Sequence, residues 1–228
     1  MSIMKQWNKN SLRVVWSRTR TATTIVNGDM EFISRDDNHG RFFVVAGLEG
    51  AGSTYKIQFF NIDGNNDWFF TSVVNTAAAN LEYRGVSSNG KNLIIATRDT
   101  SSNRDQIRHY DLNTGNQISN NGMGNRNFKG CTWDGRRLWT ISNGGTRIDE
   151  NILTDNGTRW RRVGITNISQ TLNSLTYDGR FFYGIDTSGN MHQYTEAFNQ
   201  IRKTAFVGAG AINGVMTDGK DLYTWEPH

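Results

Sequence analysis

Few residues of this sequence have the type and spacing that chemistry needs. His39, His109, His192 and His228 share no HxH or HExxH spacing, so they form no zinc-ligand set and read as surface residues. Glu31 and Glu82 are the carboxylates that hydrolysis of a glycosidic bond would draw on, because that reaction needs two acids about 5 to 10 Å apart across a cleft. Each also reads as a solvated carboxylate at the end of a strand. Cys131 is the single cysteine, which excludes an intramolecular disulfide and a Cys-rich zinc site. It stands where the other repeat units carry Val86, Leu175 and Val215, so it reads as a core residue. No G-x-S-x-G nucleophile elbow occurs. The glycine-rich stretches 47–52 and 208–210 precede no helical pattern, so they do not cradle phosphate. Asp186-Thr187-Ser188-Gly189-Asn190 begins like a calcium loop but lacks the length and the closing glutamate, and a hairpin turn explains it. These residues give no catalytic set, no metal site and no cofactor site, and the chain is expected not to be an enzyme.

Binding is what remains. Arg98, Arg104, Arg147, Asn143, Asp186 and Asn125 are the ligand-binding candidates, polar groups able to hydrogen-bond a hydroxyl-rich ligand or a protein partner from loops on a rigid scaffold. The expected partners are proteins of a larger assembly or surface glycans. The net charge is +4, but the basic residues are dispersed, so no nucleic acid is expected. No run of about 18 apolar residues is present, so no membrane insertion is expected. The segment MSIMKQWNKN has no apolar stretch of the signal-peptide kind.

The scaffold is legible in a repeat. A turn motif recurs as Asn38-His39-Gly40-Arg41, Ser88-Asn89-Gly90-Lys91, Trp133-Asp134-Gly135-Arg136, Tyr177-Asp178-Gly179-Arg180 and Thr217-Asp218-Gly219-Lys220. Its period is about 40 to 50 residues, which is that of a four-stranded unit. Asn-Gly and Asp-Gly are strong hairpin signals. A short first strand of small residues precedes each turn (Gly85-Val86-Ser87, Gly130-Cys131-Thr132, Ser174-Leu175-Thr176, Gly214-Val215-Met216), and Phe32-Ile33-Ser34 takes that place in the first unit. An apolar second strand follows the turn, as in Leu93-Ile94-Ile95 and Phe182-Tyr183-Gly184. The third strand pairs an aliphatic residue with an aromatic three positions on: Ile57/Phe60, Ile107/Tyr110, Met191/Tyr194. Ile148/Asn151 lacks the aromatic. The fourth strands are Trp68-Phe69-Phe70, Gln117-Ile118-Ser119, 160–163 and 200–203, the last three more polar, as suits an outer edge. The low apolar fraction, 36%, fits strands that bury one residue in two, and 11% aromatics with seven Trp exclude disorder.

The last unit has only two strands. Met4/Trp7 near the other end matches Met191/Tyr194, and Leu12-Arg13-Val14-Val15 matches Ile201-Arg202-Lys203-Thr204. On these residues the chain resembles a five-bladed β-propeller, similar in size and blade count to the tachylectin type of lectin. The expected fold class is all-β: a five-bladed β-propeller of four-stranded blades, the last blade closed by the N-terminal strands; the alternatives are a β-sandwich and a six-bladed ring with one unrecognised unit. A single domain spans 1–228, with blades at 30–74, 82–119, 127–163, 171–206, and 213–228 completed by 2–17. The resemblance lies in architecture and repeat period, and no sugar-site motif carries over. The WD pattern is absent, since Trp133-Asp134 sits in a hairpin turn.

The function expected from this reading is that of a non-enzymatic structural or binding propeller, a virion component of a bacteriophage capsid or tail serving assembly or host attachment. Abundant Asn, Gly, Thr and Arg with little Cys and Pro support it by analogy. The expected location is the virion, otherwise the cytoplasm or release without a signal peptide. The alternatives are a glycan-binding lectin and a small glycoside hydrolase.

Overall fold

In the computed structural model the described residues are 2–9, 13–20, 25–33, 42–49, 55–61, 80–112, 114–154, 157–205 and 214–227. They form antiparallel sheets. β1 (Ser2–Asn8) and β2 (Arg13–Arg20) come first in the chain. β3 (Ile25–Ile33), β4 (Phe42–Glu49) and β5 (Tyr55–Asn61) form a three-stranded sheet. Trp68-Phe69-Phe70, the fourth strand expected there, lies outside the described residues, as do His39, His228 and the stretch 206–213. β6 (Leu81–Ser88), β7 (Asn92–Asp99), β8 (Arg104–Asp111) and β9 (Gln117–Gly124) make a four-stranded sheet in that order. So do β10 (Gly130–Trp133), β11 (Leu138–Ser142), β12 (Arg147–Thr154) and β13 (Arg159–Asn167). The next is β14 (Leu172–Tyr177), β15 (Phe182–Asp186), β16 (Met191–Tyr194) and β17 (Gln200–Thr204). β18 (Gly214–Thr217) and β19 (Leu222–Pro227) share a sheet with β1 and β2, in the order β18-β19-β1-β2. Among the described residues no sheet closes on itself. The first strands lie side by side: β3 against β6, β6 against β10, β10 against β14, β14 against β18, and β18 against β3.

The recurring turn has one construction. Gly90, Gly135, Gly179 and Gly219 have φ between +85° and +98°, the left-handed region that only glycine enters freely. Asp134 Oδ1 accepts from the backbone N–H of Arg136 and Arg137, Asp178 Oδ1 from Arg180 and Phe181, and Asp218 Oδ1 from Lys220 and Asp221. The second oxygen takes a donor five residues on: Trp139 Nε1 to Asp134, Tyr183 Oη to Asp178, Tyr223 Oη to Asp218. The turn thus locks the register of the second strand and satisfies a buried aromatic donor at once.

The sheets stack face to face. β7 is buried on both sides: Leu93 and Ile95 pack with Ile57 and Val86, while Ile94 and Ala96 pack with Cys131, Leu138 and Trp160 of the next sheet. Trp139, Ile141 and Ile148 meet Leu172, Leu175 and Phe182, and Tyr183 and Met191 meet Val215 and Leu222. Each fully buried side chain of this size contributes roughly 1.5–3 kcal/mol. Small residues let the first strands approach. A β-carbon on Gly85 would stand 2.7 Å from Cys131 N and 2.8 Å from Gly130 Cα. Serine hydroxyls stitch neighbouring first strands, with Trp133 N–H donating to Ser87 Oγ and Val215 N–H to Ser174 Oγ, both at 2.9 Å. Asn151 is fully buried where the other units carry an aromatic, and it donates to Leu138 O, Asp149 O and Thr140 Oγ1.

Candidate functional site

The β7–β8 turn, the β11–β12 turn and the segment leading into β10 meet at one end of the sheets. Two aspartates with no exposed surface hold them together. Asp105, the second residue of β8, accepts backbone N–H bonds from Arg126, Asn127 and Phe128 at 2.6, 2.7 and 3.2 Å. Arg98, at the end of β7, adds an ion pair at 3.1 Å. The same guanidinium donates to Asn125 Oδ1 and Asn103 Oδ1. The anchored segment in turn receives the β11–β12 turn: Asn143 N–H donates to Arg126 O at 2.7 Å, and Gly144 N–H to Asn127 O at 3.2 Å.

Asp149, on β12, is the second anchor. Arg126 Nη1 lies 3.0 Å from its Oδ2, Arg147 Nε 2.8 Å from its Oδ1, and Arg162 Nη1 3.6 Å from its Oδ2. Arg147 Nε–H is directed at Ser142 Oγ, 2.9 Å away, so Asp149 Oδ1 receives charge but no directed hydrogen bond among the described residues. Arg126 joins the two anchors, its backbone on Asp105 and its side chain on Asp149. The four guanidinium groups outnumber the two carboxylates and leave an excess of two positive charges. Packing and charge-assisted bonds hold these arginines in place, which is the preorganised form in which guanidinium groups recognise carboxylate or phosphate.

Arg98, Asn125, Arg147 and Asn143, named from the sequence, therefore gather in one network. Asn143 shapes the turn, at φ +50°. Arg104 is exposed, opposite Asp99 in the β7–β8 register. Asp186 stands apart, in the β15–β16 turn, where it accepts from Ser188 N–H and Asn190 N–H. Burial pushes its carboxyl up, but the bonds from His192 and Asn190 outweigh that and hold it below the usual range. Asp105, Arg126, Asp149 and Arg162 were missed. Glu31 lies on β3 opposite Val44, its side chain outside the described part. Glu82 pairs with Arg84, so it is not a free acid.

Two histidines expected on the surface are buried, each about 1% exposed. His192 Nε2 is 2.8 Å from Asp186 Oδ2, and its Nδ1 is 3.0 Å from Gln200 Oε1. His109 Nε2 accepts from Trp160 Nε1 of the neighbouring sheet at 2.7 Å. Burial lowers the His109 pKa to about 4. The unfolded chain takes up this proton first, near pH 6.5, so the stability is complete above that pH and is lost as pH falls from 6.5 to 4. Between pH 7 and 4.5 the loss should be on the order of 2 kcal/mol. Urea unfolding midpoints at the two pH values measure it, and His109→Gln should flatten that part of the profile.

No protein-family profile matches the chain, and no curated protein matches it by sequence. Solved structures do match in fold. Glutaminyl cyclase from Myxococcus xanthus superposes with a TM-score of 0.63 at 12% identity, over 90% of this chain and 91% of its own. A luciferin-regenerating enzyme gives 0.54 at 10% identity, over 90% and 92%. The Swd1 β-propeller domain from Myceliophteria thermophila gives 0.50 at 10% identity, over 99% and 91%. The expectation that the chain is not an enzyme is overturned by the first two, since enzymes are built on this same arrangement of strands and the lack of a familiar motif excludes no activity. Antiparallel four-stranded sheets packed face to face, first strands side by side, and these superpositions together give the chain an all-β fold of the β-propeller type.

Proposed function

We propose that the chain is a five-bladed propeller acting as a recognition platform, which binds an anionic ligand or partner at the end where Arg98, Arg126, Arg147 and Arg162 gather. The observation that carries this reading is the arginine excess itself, fixed around two fully buried carboxylates. Such a site gains from a ligand that brings negative charge and hydrogen-bond acceptors, and its grip weakens with added salt. Support for five blades and ring closure comes from the neighbouring of β18 with β3 and from the pairing of β1 with β19. Among surface glycans, the platform favours acidic ones over neutral ones. The biological setting we propose is attachment or assembly in a virus particle, supported by composition alone.

A glycan array carrying sialylated, uronic-acid, sulfated and neutral glycans tests the platform, with the wild type beside an Arg147→Gln/Arg162→Gln variant. The expected result is binding confined to acidic glycans and weakened tenfold or more in the variant. Binding to neutral glycans alone, or binding that the variant keeps at full strength, overturns the reading.

A further inference from the structure

We propose that Arg84, Lys129 and Glu82 form a second anion-binding subsite, at the inner edge of the same end, which takes the carboxylate or phosphate group of a ligand whose remainder runs past Arg98 toward the outer arginines. It deepens the platform reading and rests on it for the ligand's overall charge.

Three observations place it there. First, β6 carries a bulge. Tyr83 pairs with Thr97 and Gly85 with Ala96, so Arg84 is an extra residue with no opposite number on β7. Bulges re-aim a side chain, and they are common beside functional sites. Second, Arg84 uses its Nη2 on Glu82, while its Nε is buried and meets no acceptor among the described residues. A buried guanidinium N–H without an acceptor is costly, so the protein alone leaves the Arg84 guanidinium incompletely satisfied. Third, Lys129 is close enough to feel it. β6 meets β10 at Gly85 and Gly130, the residues that follow Arg84 and Lys129, and the Arg84 charge lowers the Lys129 pKa.

The charge balance supports the same conclusion. Burial lowers the Lys129 pKa first, Arg84 and Arg98 lower it further, and Glu82 only partly offsets them. Two cations confined with a single carboxylate leave room for one more negative charge, and an oxyanion bound at the partly exposed Arg84 side chain would relieve the repulsion. Glu82 lies opposite Arg98 in the β6–β7 register, so the inner subsite is continuous with the outer network. Spacing along the chain does not reveal this, because Glu82, Arg84 and Lys129 come from two different repeat units.

Competitive labelling of amines tests the subsite on the full chain. Limiting acetic anhydride is applied at pH 7, alone or with inorganic phosphate or glucuronate, and modification of each lysine is read by peptide mass spectrometry. Lys129 should label several-fold faster than the exposed Lys91 and Lys220, and one probe should protect it at least threefold. Protection by phosphate or by glucuronate identifies the oxyanion. Arg84→Gln should abolish the protection, and Arg84→Lys serves if the first variant fails to fold. No protection by either probe, or protection retained without Arg84, overturns the subsite. The Arg147→Gln/Arg162→Gln variant should keep the protection, and its loss there would overturn a distinct inner subsite. If Lys129 is protected while no acidic glycan binds, the inner subsite stands and the platform reading falls.

Discussion

Replacing Asp105 by alanine should cost about 3–5 kcal/mol, the scale of breaking a buried ion pair by removing one partner. The substitution leaves Arg98 without its counter-charge and strips the acceptor from the N–H groups of Arg126, Asn127 and Phe128. Those groups belong to the segment that carries the β11–β12 turn, so the disturbance spreads to Asn143 and Gly144. In a chain of this length each kcal/mol corresponds to roughly 2–4 °C, so the melting temperature should fall by about 10 °C. Asp105→Asn keeps the shape and one acceptor oxygen and should fall by less. Thermal melts of the two variants beside the wild type decide it. An alanine variant melting within about 2 °C of wild type would show that Asp105 is not the anchor described, because a shift that small is under ~1 kcal/mol.

Deleting residues 2 to 16 should remove cooperative unfolding altogether. The deletion takes β1 and half of β2, and with them the strand that pairs with β19 from Ser2↔Pro227 to Trp7↔Leu222. β19 carries Trp225, Leu222 and Tyr223, each buried to 1% or less. Gln6 Nε2 also loses its bond to Asp221 Oδ2, and Lys9, just before the β1–β2 connection, bonds Asp178 of the neighbouring sheet at 3.0 Å. Burial of Asp178 raises its carboxyl pKa, but the Phe181 N–H and Lys9 outweigh burial and hold it below the usual range. Circular dichroism with heating is the measurement. A truncated chain that keeps a sharp melt near that of the wild type would mean that β18 and β19 are stable without β1. Lys9→Ala, which removes the bridge and the Lys9 Nζ bond to Gly219 O but leaves β1 in place, should shift the melt far less than the deletion.

The strands were legible because two-residue alternation and glycine turns are local signals. The Asp-Gly turns marked β10–β11, β14–β15 and β18–β19, and Met191/Tyr194 marked β16. A further local signal went unread. Asp occupies the turn where the residue five on is Trp139, Tyr183 or Tyr223, each with a donor, and Asn89 occupies it where that residue is Ile94, which has none. Arg98, Asn125 and Arg147, which the structure brings into one network, were singled out because arginines and asparagines near strand ends are conspicuous. Asp105 and Asp149 were not, since a charged residue in a strand reads as solvent-facing until the neighbouring sheet is known to cover it. His109 misled for the same reason, as its partner Trp160 lies 51 residues away. Local pattern reports which face of a strand is apolar. It does not report what a polar residue on the other face will meet.

The sheet that combines β18, β19, β1 and β2 also sets an order in time. Among the described residues the four other sheets are built from strands consecutive in the chain, so each can assemble as it leaves the ribosome. β1 and β2 are made before every other strand of these sheets, yet β19, which completes them, follows all the others. Gln6 and Asp221, which bond across that sheet, are 215 residues apart in sequence. From the synthesis of β2 until that of β19 the β1–β2 hairpin therefore offers an unpaired edge, a template for mispairing with other chains. Its pairing is also the most non-local among the described strands, the kind of contact that forms slowly. The vulnerable interval for aggregation thus closes only when the final hairpin docks, and a slow last phase in refolding should carry the fluorescence of Trp225.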